Sequence, residues 1–317
     1  MRKSLALVLS AGLLVTLAAC SSPSTPDCTG AATSGPASDG IDVTGSFGSA
    51  PTVTFGSPLD PTSVQRTIIT QGDGDEAGFG GSVYGTFSLY DAGTGTAVQP
   101  PSASLLTLSD EAAGVNGLAA GLACAPAGSR VAITIPKSTL SEQQQSAVDG
   151  LVAVVDVQNT YPGAATGHDV PAVAGFPSVV HDSTGRPGIT VVSGTDTTTF
   201  RTTALKKGDG AVLADGDTVL VQYIQVSMDA KSLQSASKGV LDSTWQKGSP
   251  STLKVVADTT GSATGKAALS NALVGANVGD EIIAVVPASS DASAGTADPA
   301  STWVIDVLGV LPAQQQQ

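Results

Sequence analysis

The stretch Arg201-Thr202-Thr203-Ala204-Leu205-Lys206-Lys207-Gly208-Asp209-Gly210, followed by the strand-like run Thr218-Val219-Leu220-Val221-Gln222-Tyr223, decides how this chain is organised, because its pattern occurs twice. Earlier, Arg66-Thr67-Ile68-Ile69-Thr70-Gln71-Gly72-Asp73-Gly74 leads in the same way to Ser82-Val83-Tyr84-Gly85-Thr86-Phe87. Further on, Leu118-Ala119-Ala120-Gly121-Leu122 before Arg130-Val131-Ala132-Ile133-Thr134-Ile135-Pro136 is answered by Leu269-Ser270-Asn271-Ala272-Leu273 before Glu281-Ile282-Ile283-Ala284-Val285-Val286-Pro287. Val154-Val155-Asp156-Val157 is answered by Val304-Ile305-Asp306-Val307. The offset is 136 at Gly74/Gly210, 151 at Pro136/Pro287 and 150 at Asp156/Asp306, so order is kept and one insertion falls inside the second copy. A repeat this long is two related domains rather than a solenoid of short units.

Each copy reads as several strands, one short helix and a last pair of strands. The helix candidate in the second copy runs from Gly265 to Val274, with Leu269 and Leu273 four apart on one face. A lone short helix must bury that face on the sheet, so the expected class is α+β. Composition agrees: of 317 residues only 4% are aromatic and 13% charged, with 37 Gly and 18 Pro, which argues against a helical bundle. The net charge of −13 argues against nucleic acid as a partner, since no basic face is available to displace counterions from phosphates.

The N-terminus reads Met1-Arg2-Lys3-Ser4, then an apolar run to Ala19, ending Leu17-Ala18-Ala19-Cys20. That run is too short for a comfortable membrane span and resembles a bacterial lipoprotein signal peptide (residues 1–19), with Cys20 as the lipidated first residue of the mature chain. The expected location is therefore extracytoplasmic, anchored to the cell membrane by the N-terminal lipid. Residues 20–39, rich in Ser, Pro, Thr and Gly, read as a flexible tether, and residues 313–317 as a disordered tail. The remaining cysteines, Cys28 and Cys124, are expected to pair as a disulfide in an oxidising compartment. The domains are placed at 40–158 and 175–312, with a Gly- and Pro-rich linker at 159–174.

The second copy resembles the FKBP-type peptidyl-prolyl cis-trans isomerases. The resemblance lies in Gly216-Asp217-Thr218-Val219-Leu220-Val221-Gln222-Tyr223, Gly239-Val240-Leu241-Asp242-Ser243-Thr244-Trp245, Ala272-Leu273-Val274-Gly275-Ala276-Asn277-Val278-Gly279-Asp280, Val285-Val286-Pro287 and Thr302-Trp303-Val304-Ile305-Asp306-Val307-Leu308-Gly309-Val310. The tandem arrangement behind a lipoprotein signal also resembles actinobacterial lipoproteins of this family. The resemblance implies two tandem domains, each a curved antiparallel sheet wrapping one helix, with a proline ring entering an apolar cup between sheet and helix. It implies catalytic roles for Tyr223 as a wall, Leu241 where Phe is usual, Asp242 as the following acid, Leu269 in place of a Trp floor and Ile305 in place of a Phe. Trp303, Trp245, Lys266 and Val285 are the implied substrate-binding residues. Most aromatics of the cup are replaced, so weak turnover is expected in assisting the folding of proline-containing secreted polypeptides. The alternative is a non-catalytic chaperone or binding lipoprotein. The first copy lacks the Leu-Asp-Ser piece and has Phe87 for the Tyr, so it reads as a degenerate, non-catalytic domain.

Rotation about an X–Pro bond makes and breaks no bond, so no cofactor, nucleophile or metal is expected. His168 and His181 lie far apart in loop-like segments, and neither Gly-x-Ser-x-Gly nor a phosphate-cradling Gly-x-x-x-x-Gly-Lys motif is present. Asp73-Gly74-Asp75-Glu76 and Asp215-Gly216-Asp217 do not continue into a calcium-loop pattern and read as solvated turns.

Overall fold

Leu151–Tyr161 and Ser301–Val310 are rich in β-branched residues and free of proline, which suits a pleated surface packed on both sides. In the computed structural model of the chain they are the central strands of two antiparallel sheets. The structure describes residues 26–109, 116–191, 194–234, 237, 239–258, 265–291 and 296–313. The signal-peptide and Cys20 readings lie outside them; among the described residues no helix is long and apolar enough to cross a membrane.

The first sheet runs, edge to edge, Gln65–Thr70, Arg130–Ile135, Leu151–Tyr161, Ser82–Asp91, Ala97–Thr107. The second runs His168–Asp169, Arg201–Lys207, Glu281–Val286, Ser301–Val310, Thr218–Ser227, and then two short strands, Val240–Ser243 and Ser251–Lys254, that share the last edge. Equivalent strands thus occur in the same order in both. Register follows too: Phe87 faces Val155 in the first sheet and Tyr223 faces Ile305 in the second, each beside the aspartate that the two copies share. The inserted residues of the second copy lie between Ser227 and Glu281 and interrupt its edge strand, whereas Ala97–Thr107 is continuous.

One face of each sheet takes a helix, Asn116–Leu122 in the first and Gly265–Ala272 in the second. Leu118 and Leu122 join Val83, Phe87, Ile133 and Val155 in one core; Leu269 and Leu273 join Val221, Ile282, Trp303 and Ile305 in the other. The helix of the first unit approaches so closely that a Cβ on Gly121 would lie 2.6 Å from Ile133 Cδ1. The opposite faces carry a feature the sequence reading did not contain. A β-hairpin, Asp42–Thr54 in the first unit and Ser178–Thr190 in the second, covers each at the same offset of 136 residues.

Two linking segments depart from expectation. Residues 26–39 of the expected tether are packed: Pro36–Asp39 is a helical turn, Ser38 is buried, Ala32 N–H donates to Ala120 O, and Phe79 N–H donates to Asp27 O. The Cys28–Cys124 disulfide anchors this segment to the end of the first helix. The expected linker at 159–174 is likewise structured. Tyr161 ends a central strand, His168–Asp169 pairs with Lys206–Lys207, and Ala165 N–H donates to Asp306 Oδ2. The composition was that of a linker, but backbone groups near a sheet edge find partners whatever their side chains are. The units touch where Tyr161, Leu220 and Leu308 form one cluster and Tyr161 O–H donates to Val310 O. A Cβ on Gly309 would fall 2.5 Å from the Tyr161 ring.

Candidate functional site

The site is built at the interruption of the edge strand. Val240–Ser243 pairs with the strand Thr218–Ser227 as far as Ile224; the chain then turns through the helical segment Thr244–Lys247 and rejoins at Ser251 opposite Val221. Ser243 caps the turn by accepting from Gln246 N–H, and Gly248 ends it at φ 72°, a left-handed conformation glycine adopts without penalty. Tyr223 lies opposite the gap. Its N–H donates to Thr244 Oγ1 (2.8 Å) and its C=O accepts from the same hydroxyl (3.1 Å). One side chain therefore replaces a ladder partner, and the strand stays straight where its neighbour departs.

Alternation along Thr218–Ser227 directs Tyr223 to the helix side. There its ring lies 5.1 Å from that of Trp303, at a tilt of 42°. Its hydroxyl donates to Asp242 Oδ2 (2.8 Å). Asp242 Oδ1 accepts from Ser243 N–H (2.7 Å) and pairs with Lys247 Nζ at 2.5 Å. Partial burial raises the pKa of Asp242, but the bonds from Lys247, Tyr223 and Ser243 together outweigh it and hold the carboxyl below its ordinary value. The Tyr223 phenol is pushed up to about 12, first by burial and then by its bond to this carboxylate. The result is an apolar, half-buried aromatic wall beside a fixed negative charge at the rim.

Of the residues expected at the site, Tyr223, Trp303, Ile305 and Leu269 share one cluster and Asp242 is bound to the first of them. Trp303, Ile305 and Leu269 are buried core residues as well as site residues, and Trp303 Nε1–H is satisfied by Ser301 Oγ. Leu241, 43% exposed, stands at the outer edge instead of lining the cluster. Two expectations fail. Val285 is fully buried, but Ala284 and Val286 are the members of its strand that reach the helix side; period-two alternation puts Val285 on the opposite face with Ile283. Trp245 points elsewhere: its Cη2 comes within 3.9 Å of a Cβ built on Gly185, in the turn of the hairpin Ser178–Thr190, and its Nε1 has no partner among the described residues. Lys266 lies in the helix Gly265–Ala272, but its side chain is outside the described residues. Thr244 and Lys247 were missed; the signal for Thr244 was its place after a capping Ser, where a hydroxyl commonly turns back to the backbone.

Among the described residues the first unit offers no such arrangement. Phe87, the register equivalent of Tyr223, is buried in the core opposite Ser102 of an unbroken strand, and it has no hydroxyl to bind an acid.

No protein-family profile and no curated protein matches the chain. Among solved structures it is similar to the three FKBP domains of wheat FKBP73, at 12% identity and a TM-score of 0.34, covering 78% of this chain and 95% of that one. It is also similar to the N-terminal domain of FKBP42 from Arabidopsis thaliana (18% identity, TM-score 0.28, 32% of this chain and 87% of that one). A further likeness is to FkpA from Escherichia coli (20% identity, TM-score 0.27, 43% of this chain and 52% of that one). At such identities and TM-scores these likenesses assign neither a family nor an activity.

Proposed function

We propose that the second unit, residues 165–313, is an FKBP-like peptidyl-prolyl cis-trans isomerase of low turnover, and that the first, residues 26–161, is its non-catalytic relative. The chain would work outside the cytoplasmic membrane, held by a lipid on Cys20, on proline-containing segments of secreted polypeptides. The reading rests on the interrupted strand opposite Tyr223, which places an aromatic wall, a second ring from Trp303 and a fixed acid together at a sheet edge.

Isomerisation must cross a barrier of roughly 18–20 kcal/mol, set by amide resonance. In the twisted transition state the carbonyl is less polar and the nitrogen pyramidal, so an apolar surface favours it over the planar ground state that water solvates better. Tyr223 supplies the exposed part of that surface, with Trp303 and Ile305 packed behind it. Asp242 fixes the Tyr223 ring through its hydroxyl and is itself fixed by Lys247 and Ser243, so the wall needs no reorganisation when a proline ring arrives. Each roughly 1.4 kcal/mol of preference for the twisted form gives a tenfold rate.

A second reading, a non-catalytic binding lipoprotein, is favoured by the burial of Trp303, Ile305 and Leu269 and the outward position of Leu241, which leave less of a cup to fill. Prolyl isomerisation of an X–Pro peptide by the soluble chain starting at Ser21, beside its Tyr223→Ala plus Asp242→Ala variant, separates the two. Catalysis above the blank that the variant loses supports the isomerase; wild type equal to the blank sinks it and leaves a binding frame.

A further inference from the structure

The face of the second sheet away from the candidate site carries a cluster of titratable groups that the proposed isomerase does not use. In the first unit, Arg130 and Asp156 are cross-strand partners and form a buried ion pair, with Nε and Nη2 donating to Oδ1 and Oδ2 at 2.6 and 2.8 Å. The same guanidinium donates to Gly45 O (2.8 Å) and Ser46 O (2.9 Å), where the hairpin Asp42–Thr54 ends its first strand. A permanent charge pair thus ties that hairpin to its sheet.

In the second unit the same register position pairs Glu281 with Asp306, two acids, and both are buried. The position of Gly45, 136 residues on, holds His181, whose Nε2 lies 2.6 Å from Glu281 Oε1. Asp306 Oδ2 accepts from Ala165 N–H at 3.0 Å, while Asp306 Oδ1 and Glu281 Oε2 have no donor among the described residues. A proton held between two facing carboxyls supplies the missing donor, and two uncompensated charges in a buried sheet are costly. Burial, first of all, raises both carboxyls, Glu281 to about 7 and Asp306 to about 8, and burial likewise lowers His181. The other charged groups facing the cluster are Lys206 on the neighbouring strand, Asp169 on the edge strand and Asp182 in the hairpin turn.

The hairpin Ser178–Thr190 is a two-stranded sheet of its own, with no ladder to the seven-stranded sheet beneath among the described residues. Val179 and Ile189 cover Ile224, Val226, Ile283 and Val304. A cavity of about 450 Å³ beside it, lined by His181, Arg186, Ile224, Val226 and Val240 among others, brings solvent to the histidine.

We infer that the second unit carries a proton-operated latch: a proton shared by Glu281 and Asp306 keeps His181, and with it the hairpin Ser178–Thr190, docked on the sheet, and loss of that proton loosens the hairpin. With one proton on the pair, neutral His181 donates Nε2–H to the Glu281 carboxylate. Acids whose folded pKa is raised contribute stability that is lost as pH rises through that value, so the latch opens on the alkaline side. The first unit, with its fixed ion pair, has no such dependence, which makes its hairpin an internal control. The inference stands whether or not the chain is an isomerase.

The test is amide hydrogen exchange of the chain from Ser21 between pH 6 and 10, read as protection of residues 178–190 relative to residues 42–54. In the wild type the ratio is expected to be highest near pH 6 and to fall as pH rises through 7 and 8, by up to about tenfold per unit for each proton lost. Glu281→Gln, which removes one ionisation and its repulsion of Asp306, should make the fall shallower; should that variant not fold, Asp306→Asn is read in the same way. A wild-type ratio that stays level to pH 10, or a fall that persists unchanged in the folded variant, overturns the latch.

Discussion

Thr244 Oγ1 both accepts from the N–H and donates to the C=O of Tyr223, so a threonine side chain does for one residue what a neighbouring strand does for the rest of Thr218–Ser227. This pair lets the edge strand leave the sheet at the candidate site without stranding a buried peptide group. Thr244 is itself buried, so neither bond is replaceable by solvent.

Thr244→Val keeps the shape and removes both bonds. The expected cost is about 1–3 kcal/mol, from the polar backbone groups of Tyr223 left unpaired. Urea unfolding should show a lower midpoint with an unchanged slope; a midpoint equal to wild type would mean that water enters the gap.

Tyr223→Phe keeps the ring beside Trp303 and deletes the donor to Asp242. Because Asp242 is held below its ordinary value, its stabilising contribution is present at neutral pH and lost as pH falls through the folded value. Without the phenol the Asp242 carboxyl should titrate at a higher pH by NMR, and stability at neutral pH should drop by about 1 kcal/mol. An unmoved titration would assign the lowered value to Lys247 and Ser243 alone.

Arg130→Met leaves Asp156 buried without its cation and should cost about 3–5 kcal/mol. Adding Asp156→Leu should recover most of that loss, because the pair as a whole offsets little more than its own desolvation. Thermal unfolding of the two variants checks both statements, and a double variant no better than the single would show that the bonds to Gly45 and Ser46 dominate.

Reduction of Cys28–Cys124, or the Cys28→Ser plus Cys124→Ser variant, removes a crosslink spanning 96 residues of sequence. On the chain-entropy model the loss is up to about 4.7 kcal/mol. The unreduced, unfolded chain from Ser21 should show no free thiol, and the reduced chain a lower melting temperature; two titratable thiols before reduction would contradict the bond.

Much of the fold was legible in the chain itself. The two copies, the chain order of their strand and helix segments, the helix near Gly265 and an insertion inside the second copy follow from local patterns: alternation, β-branched runs, glycine punctuation and self-similarity. Tyr223, Asp242, Trp303 and Ile305 were named together because each sits in a segment that carries the family resemblance, not because the repeat alone singles them out.

What a residue faces was not legible in the same way. Val285 and Val286 are neighbours of equal character, yet one lies behind the sheet and the other beneath the helix, and only the register of the strand says which. Trp245 had the composition of a pocket residue and turned toward the hairpin because the turn Thr244–Lys247 carries it there. The residues 26–39 and 159–174 had the composition of a tether and a linker, but neighbouring sheet edges and a disulfide hold them. His181, Glu281 and Asp306 are separated by up to 125 positions, and nothing local marks them as partners. Local sequence determined which segments extend, turn or coil, since those preferences are properties of a few adjacent residues. The tertiary structure decided which charges meet and which side chains share a face, since that depends on pairing between strands far apart in the chain.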